Sequence, residues 1–156
     1  MQSNKIEQYK DAISTLLMDF QWIEQILKIV ISSSYEIISR SCPPEIAFRI
    51  DGSSLKKDTL GKLVIKYAEL TNNIELAKEL KTLIEHRNTC AHKAFFLSLE
   101  EQFDDAFLSA ELHKYFELHD RAKKCVLQLT TELENLSKLL NENKNTTVER
   151  NASLMN

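Results

Sequence analysis

Apolar residues recur along the first quarter of the chain in alternating steps of three and four: Ile6, Tyr9, Ile13, Leu16, Phe20, Ile23, Leu27, Val30, Ser34 and Ile37. Only Ser34 interrupts the apolar character of that row. The spacing predicts one amphipathic helix over about residues 4–40, with a seam of the kind that bundles and coiled coils bury. Trp22, Ile26 and Ile29 widen the stripe, so this helix is expected to touch more than one neighbour. It should stop at "SRSCPP", because the residue before a proline is driven out of the α region.

Residues 41–58 read as a loop with a turn at Asp51-Gly52. Asp58 is the expected N-cap of a short second helix, "TLGKLVIKYAEL", and Asn73 that of a third. In the phenylalanine-rich stretch "KAFFLSLEEQFDDAFLS", Ser98 and Glu101 have the spacing of a capping box for one short turn. A long last helix is expected from about Ser109 or Ala110, with Leu112, Tyr115, His119, Ala122, Val126, Leu129, Leu133, Leu136 and Leu140 on its inner row. From "NENKNTTVERN" onward the pattern ends, which predicts a frayed or disordered polar tail. The division expected is a single helical domain over residues 1–142 and a tail over 143–156. Two long helices flanking two shorter ones predict an all-α, antiparallel four-helix bundle with extra short turns.

Composition sharpens this reading. Two glycines and two prolines in 156 residues leave few chain-breakers, and three of the four fall between residues 43 and 52. A net charge of −3 removes any general attraction for nucleic acid, so an RNA contact would have to be local. Three cysteines (Cys42, Cys90 and Cys125), without a Cys-x-x-Cys pair or a signal-like start, point to a reducing cytoplasm. The most apolar stretch, "WIEQILKIVI", carries Glu24 and Lys28 and is too short to span a bilayer, so no membrane partner is expected.

The third helix poses the chemical question. In "IELAKELKTLIEHRN" the row Leu76, Leu80, Leu83 is continued by Arg87, and the row Ala77, Leu80, Ile84 by Asn88. A guanidinium and an amide on core-facing rows are costly unless something satisfies them. His92 follows five residues after Arg87, in "RNTCAH". Arginine offers a rigid fork of donors for phosphoryl oxygens, and histidine exchanges protons near neutral pH. Together they have the means to cleave a phosphodiester without a metal. As a bare pattern, an Arg followed four to six residues later by a His arises by chance about 0.4 times in a chain of this composition. Requiring Asn directly after the Arg lowers that to about 0.01.

"RNTCAH", Arg87 to His92, resembles the Arg-Asn-x-x-x-His signature of HEPN domains, the higher-eukaryote and prokaryote nucleotide-binding helical bundles. The surroundings are similar too: a long first helix, "LGKL" opening a shorter second, the motif ending the third and a long last helix. The likeness covers roughly residues 5–140. It implies a metal-independent endoribonuclease that works as a homodimer on RNA, with two motifs facing across the interface, as in toxins and phage-defence effectors. Arg87 would contact the scissile phosphate, His92 would act as acid or base, and Asn88 would hold a partner in place. No cofactor and no metal is implied, and an antitoxin or regulatory protein is an expected partner. In the subgroup regulated by nucleotidylation a tyrosine lies two residues after the histidine; here that position is Ala94. Other members of the family are non-catalytic modules that bind a partner protein, RNA or nucleotide.

Each residue also has a plainer reading. Arg87 would instead pair with an interior carboxylate such as Glu24, while Asn88 and His92 would terminate the helix. His86, Cys90 and His92 suggest a metal only if a fourth ligand exists, and none is evident. His119 reads as a buried histidine with a local partner, or else an accessory site residue. Lys93 is either a phosphate contact or an exposed lysine, and Phe95 and Phe96 either stack on a base or pack. On an ideal helix Arg87 and His92 point about 140° apart. Either the helix breaks around Cys90 to Ala91, or two protomers build the site together.

Overall fold

The long apolar seam forms one helix, α1 (Gln2–Ser41). In this computed structural model residues 2–93 and 96–153 are described, with side chains for 4–92, 96–98 and 100–142. After α1 come a 3-10 helix (Gly52–Lys57), α2 (Leu60–Leu70), α3 (Ile74–Lys93), α4 (Leu99–Phe103) and α5 (Asp105–Ser153). The chain is therefore all-α, with no strand among the described residues. Nor is any of their helices long and apolar enough to cross a membrane.

Capping chemistry explains most boundaries and corrects two. Asn73 accepts from Leu76 N at 3.2 Å at the head of α3, and the Ser98–Glu101 capping box of α4 is complete. Asp58 does not cap α2. The 3-10 helix claims it as a C-terminal residue, its N–H bonding Leu55 O at 3.2 Å, and its carboxylate takes Lys66 Nζ at 2.7 Å. Thr59 stands at the cap instead, with no side-chain bond. The last helix begins at Asp105, not at Ser109 or Ala110, because the Asp104 carboxylate accepts from Ala106 N at 2.9 Å and Phe107 N at 3.0 Å. It also runs on through Ser153, where a frayed tail was expected. After Gly61 the chain holds no glycine or proline, so no strong breaker ends the helix. The expected end of the chain, residues 154–156, lies outside the described residues.

The cross-helix pairings set the directions. Lys5 on α1 pairs with Asp105 on α5 at 3.2 Å, Asp19 with His119, and Arg40 Nη1 donates to Leu140 O at 3.2 Å. Each pair joins residues 100 apart, so α1 and α5 run parallel. Leu60 and Val64 border the same small void as Phe20 and Ile23, while Tyr67 and Leu70 share a cleft with Val30 and Ile31. α2 therefore runs the same way. α3 runs opposite to α5, as Asn73–Glu132 and Glu79–Arg121 show. The expectation of an antiparallel bundle on the two long helices fails for that pair. The connection over residues 42–59 crosses back along α1, where Gly52 packs against Ser32, and so restarts the chain halfway down it.

Nearly the whole α1 seam is buried: Tyr9, Ile13, Leu16, Phe20, Ile23, Leu27 and Val30 are at most 3% exposed. They meet Tyr115, Ala122 and Leu129 from α5 and Leu80 and Leu83 from α3 in one core. Trp22 and Ile29 do not join it, being 61% and 50% exposed, although Ile26 does in part. With Met18 they lie roughly opposite Phe20 and Leu27 on the helix, within about 40° of one another.

Two glycines give a paired test of this packing. A Cβ on Gly52 would meet Ser32 Cβ at 2.9 Å, whereas one on Gly61 would meet nothing within 4 Å. Gly52→Ala is expected to lower stability by about 1–3 kcal/mol, and Gly61→Ala to raise it by about 0.5–1 kcal/mol. Chemical denaturation of both variants checks the opposite signs.

A pH test follows from Glu79, whose carboxylate takes Arg121 Nε at 2.6 Å and Nη2 at 3.1 Å. The bonded guanidinium holds that carboxyl below its usual 4.5. A lowered native pKa adds stability above the unfolded value and loses it as pH falls through the native one. The advantage of wild type over Glu79→Gln should therefore shrink between about pH 6 and about pH 3. With both side chains about a third exposed, the full effect should stay under about 1 kcal/mol.

Candidate functional site

α3 delivers the motif through its helical period. Leu76, Leu80 and Leu83 are buried, Arg87 is half-buried on the same row, and Cys90 returns to the core at 2% exposure. Arg87 escapes burial because α2 begins at Leu60, which packs near Leu83 and Ile84. One turn further along α3, Arg87 lies beyond the start of α2. Asn88 is exposed. The expected burial of a guanidinium and an amide is thus corrected: no described polar or charged residue is buried.

Arg87 Nη1 donates to Asn88 Oδ1 at 3.3 Å, so the asparagine holds its neighbour rather than ending the helix. No carboxylate pairs with Arg87 among the described residues. Glu24 instead takes Lys28 Nζ at 2.7 Å, one turn along α1, so the alternative Arg87–Glu24 pair does not form. α3 stays helical through Lys93, which rules out a break at Cys90 to Ala91 and termination at Asn88. An unbroken helix separates Arg87 from His92 by about 140° and about 7.5 Å along the axis.

His92 is exposed at the mouth of a cleft of about 400 Å³. Around it stand Thr89 from α3, Phe96 and Leu97, Glu101 from α4, Tyr9 from α1, and Phe107, Glu111, Lys114 and Tyr115 from α5. Neither Arg87 nor Asn88 borders it. Tyr9 and Tyr115 meet edge to face at 5.6 Å, and burial pushes both phenols up. Lys114 Nζ lies 3.5 Å from Glu111 Oε1 and 5.8 Å from the Tyr115 ring centre. Burial also raises the Cys90 thiol, leaving it a poor nucleophile. Glu111 and Lys114 carry no signal in the sequence, and Glu101 signals only a capping box. They lie close together in the sequence, and the packing of α1 and α3 against the start of α5, which no local pattern signals, brings Tyr9 and His92 to them.

The other candidates lie elsewhere. His119 Nδ1 bonds Asp19 between the two long helices, half-buried, away from the His92 cleft. Its partner is on α1 rather than local in sequence. Cys90 is buried while His92 is exposed, and no described cluster of three His, Cys, Asp or Glu could hold a metal. The Lys93 side chain, Ala94 and Phe95 lie outside the described residues. A larger cleft of about 580 Å³ contains no motif residue. There the Glu132 carboxylate accepts from Tyr67 Oη at 2.7 Å and Asn73 Nδ2 at 3.1 Å, tying the α2–α3 turn to α5. Glu132, the one charged residue among the described residues lining that cleft, is committed to holding the turn, so the His92 cleft is the better chemical candidate.

No family model, curated protein or solved structure matches the chain.

Proposed function

We propose that the chain is a metal-independent endoribonuclease of the HEPN type that works as a two-fold dimer. α1, α2, α3 and α5 would be the four helices of its bundle. The observation that carries this reading is the unbroken α3: it leaves Arg87, which pairs with no carboxylate among the described residues, and His92 on different faces of one helix. A two-fold axis passing near both would set Arg87 of one protomer beside His92 of the partner subunit, since a two-fold interface repeats each contact. Two guanidiniums near that axis would supply the local positive potential that an acidic chain lacks.

In such a site the ribose 2′-oxygen attacks the adjacent phosphorus as its proton passes to a base. The bond from phosphorus to the 5′-oxygen breaks, and that oxygen takes a proton. The products are a 2′,3′-cyclic phosphate and a free 5′-hydroxyl. His92 serves one proton transfer, and Arg87, steadied by Asn88, neutralises charge on the pentacoordinate phosphorus. The proposed setting is a toxin or phage-defence effector in the cytoplasm, held in check by an antitoxin or regulatory protein.

A second reading is a non-catalytic module that binds a partner protein, RNA or nucleotide. What favours it is the exposed stripe of Met18, Trp22 and Ile29 on α1, an apolar surface of the kind interaction sites use. Cleavage of single-stranded RNA and tRNA in EDTA separates the two. Wild type should cut and leave cyclic phosphate ends, and Arg87→Ala or His92→Ala should lose about 100- to 1000-fold. No cleavage by wild type, with unaffected growth on expression, would leave the binding module.

A further inference from the structure

We propose that the cleft beside His92 is a nucleobase pocket that selects guanine through the Glu111 carboxylate, an inference that rests on the ribonuclease reading above. Its volume, about 400 Å³, falls in the range of small-molecule sites. Four of its ten described lining residues are Phe96, Phe107, Tyr9 and Tyr115, which give it aromatic walls. Phe96, 83% exposed at the rim, offers a ring face on which any base stacks.

Charge decides which part of a nucleotide enters. Two carboxylates, Glu101 and Glu111, face one ammonium, Lys114, so a phosphate is repelled and a neutral base is not. The phosphate then stays outside, where Arg87 lies. Within the cleft the two carboxylates differ in availability. Glu101 accepts from Ser98 N at 2.7 Å to complete the α4 capping box. Among the described residues Glu111 bonds only Lys114, at 3.5 Å, the outer limit of a hydrogen bond. It retains lone pairs on both oxygens, a fork that accepts two parallel N–H donors.

Guanine presents that pair on its Watson–Crick edge, N1–H and the exocyclic amino group. Adenine and cytosine present one amino group beside an acceptor. Uracil presents one N–H between two carbonyl oxygens, which a carboxylate repels. The preference should run guanine first, adenine and cytosine next, uracil last. A pocket built to bond a donor-bearing edge discriminates strongly, because the wrong base leaves its polar groups unpaired.

Isothermal titration with guanosine and with uridine, which carry no phosphate, tests the pocket apart from catalysis. Wild type should bind guanosine at least about tenfold more tightly than uridine. Glu111→Gln should erase most of that ratio while keeping the circular dichroism of wild type. Phe96→Ala should weaken both nucleosides alike. Equal binding of the two nucleosides, no binding of either, or an unchanged ratio in Glu111→Gln would overturn the proposal. RNA cleaved without any guanine preference would likewise reject the pocket and leave the ribonuclease standing. Guanosine selectivity without RNA cleavage would keep the pocket and reject the ribonuclease.

Discussion

The parallel union of α1 and α5 is the interaction on which the rest of the molecule depends. Tyr9, Leu16, Ile23, Leu27 and Val30 from one helix bury against Tyr115, Ala122 and Leu129 from the other. Burying a side chain of this size contributes about 1.5–3 kcal/mol, so the shared seam outweighs every ion pair at its edges. The polar contacts there, Lys5–Asp105 and Asp19–His119, set alignment more than stability. The parallel direction also decides what meets what. It lays the start of α5 beside the start of α1, and α3, running the other way, ends there too. Tyr9 and His92 meet Glu111 and Lys114 at that end for this reason.

A second constraint comes from helical period. α3 is continuous, so five residues carry the chain through about one and two-fifths turns between Arg87 and His92. No rotamer choice makes two side chains on opposite faces converge on one phosphorus atom. What one chain cannot assemble, a symmetric pair can, and the proposed dimer rests on that geometry. The half-burial of Arg87 fits the same picture, since the guanidinium stands one turn past the cover of α2, held by Asn88.

The sequence made much of this legible. The three-four row placed α1 almost to the residue, because a long seam leaves no rival period, and the caps at Asn73 and Ser98 announced themselves by local chemistry. Direction was not legible. Nothing in residues 42–59 distinguishes a short hairpin from a segment that crosses back along α1, and the Gly52–Ser32 contact that marks the return exists only in three dimensions. The starts of α2 and α5 were misplaced where neighbouring aspartates compete, Asp58 serving the preceding 3-10 helix and Asp104 serving α5. In the site, the motif was visible as letters. Its surroundings were not, since Glu111 and Lys114 on α5, and Tyr9 on α1, reach His92 only through the packing of three helices.

The central claim is that one working site draws Arg87 and His92 from different subunits. Mixing Arg87→Ala protein with His92→Ala protein, with subunits allowed to exchange, tests it most directly. Half of the dimers would then be mixed, and each would hold one intact site of two, so the mixture should recover about a quarter of the wild-type cleavage rate. A mixture as inactive as its components, beside an active wild type that is strictly monomeric at micromolar concentration by light scattering, would contradict it.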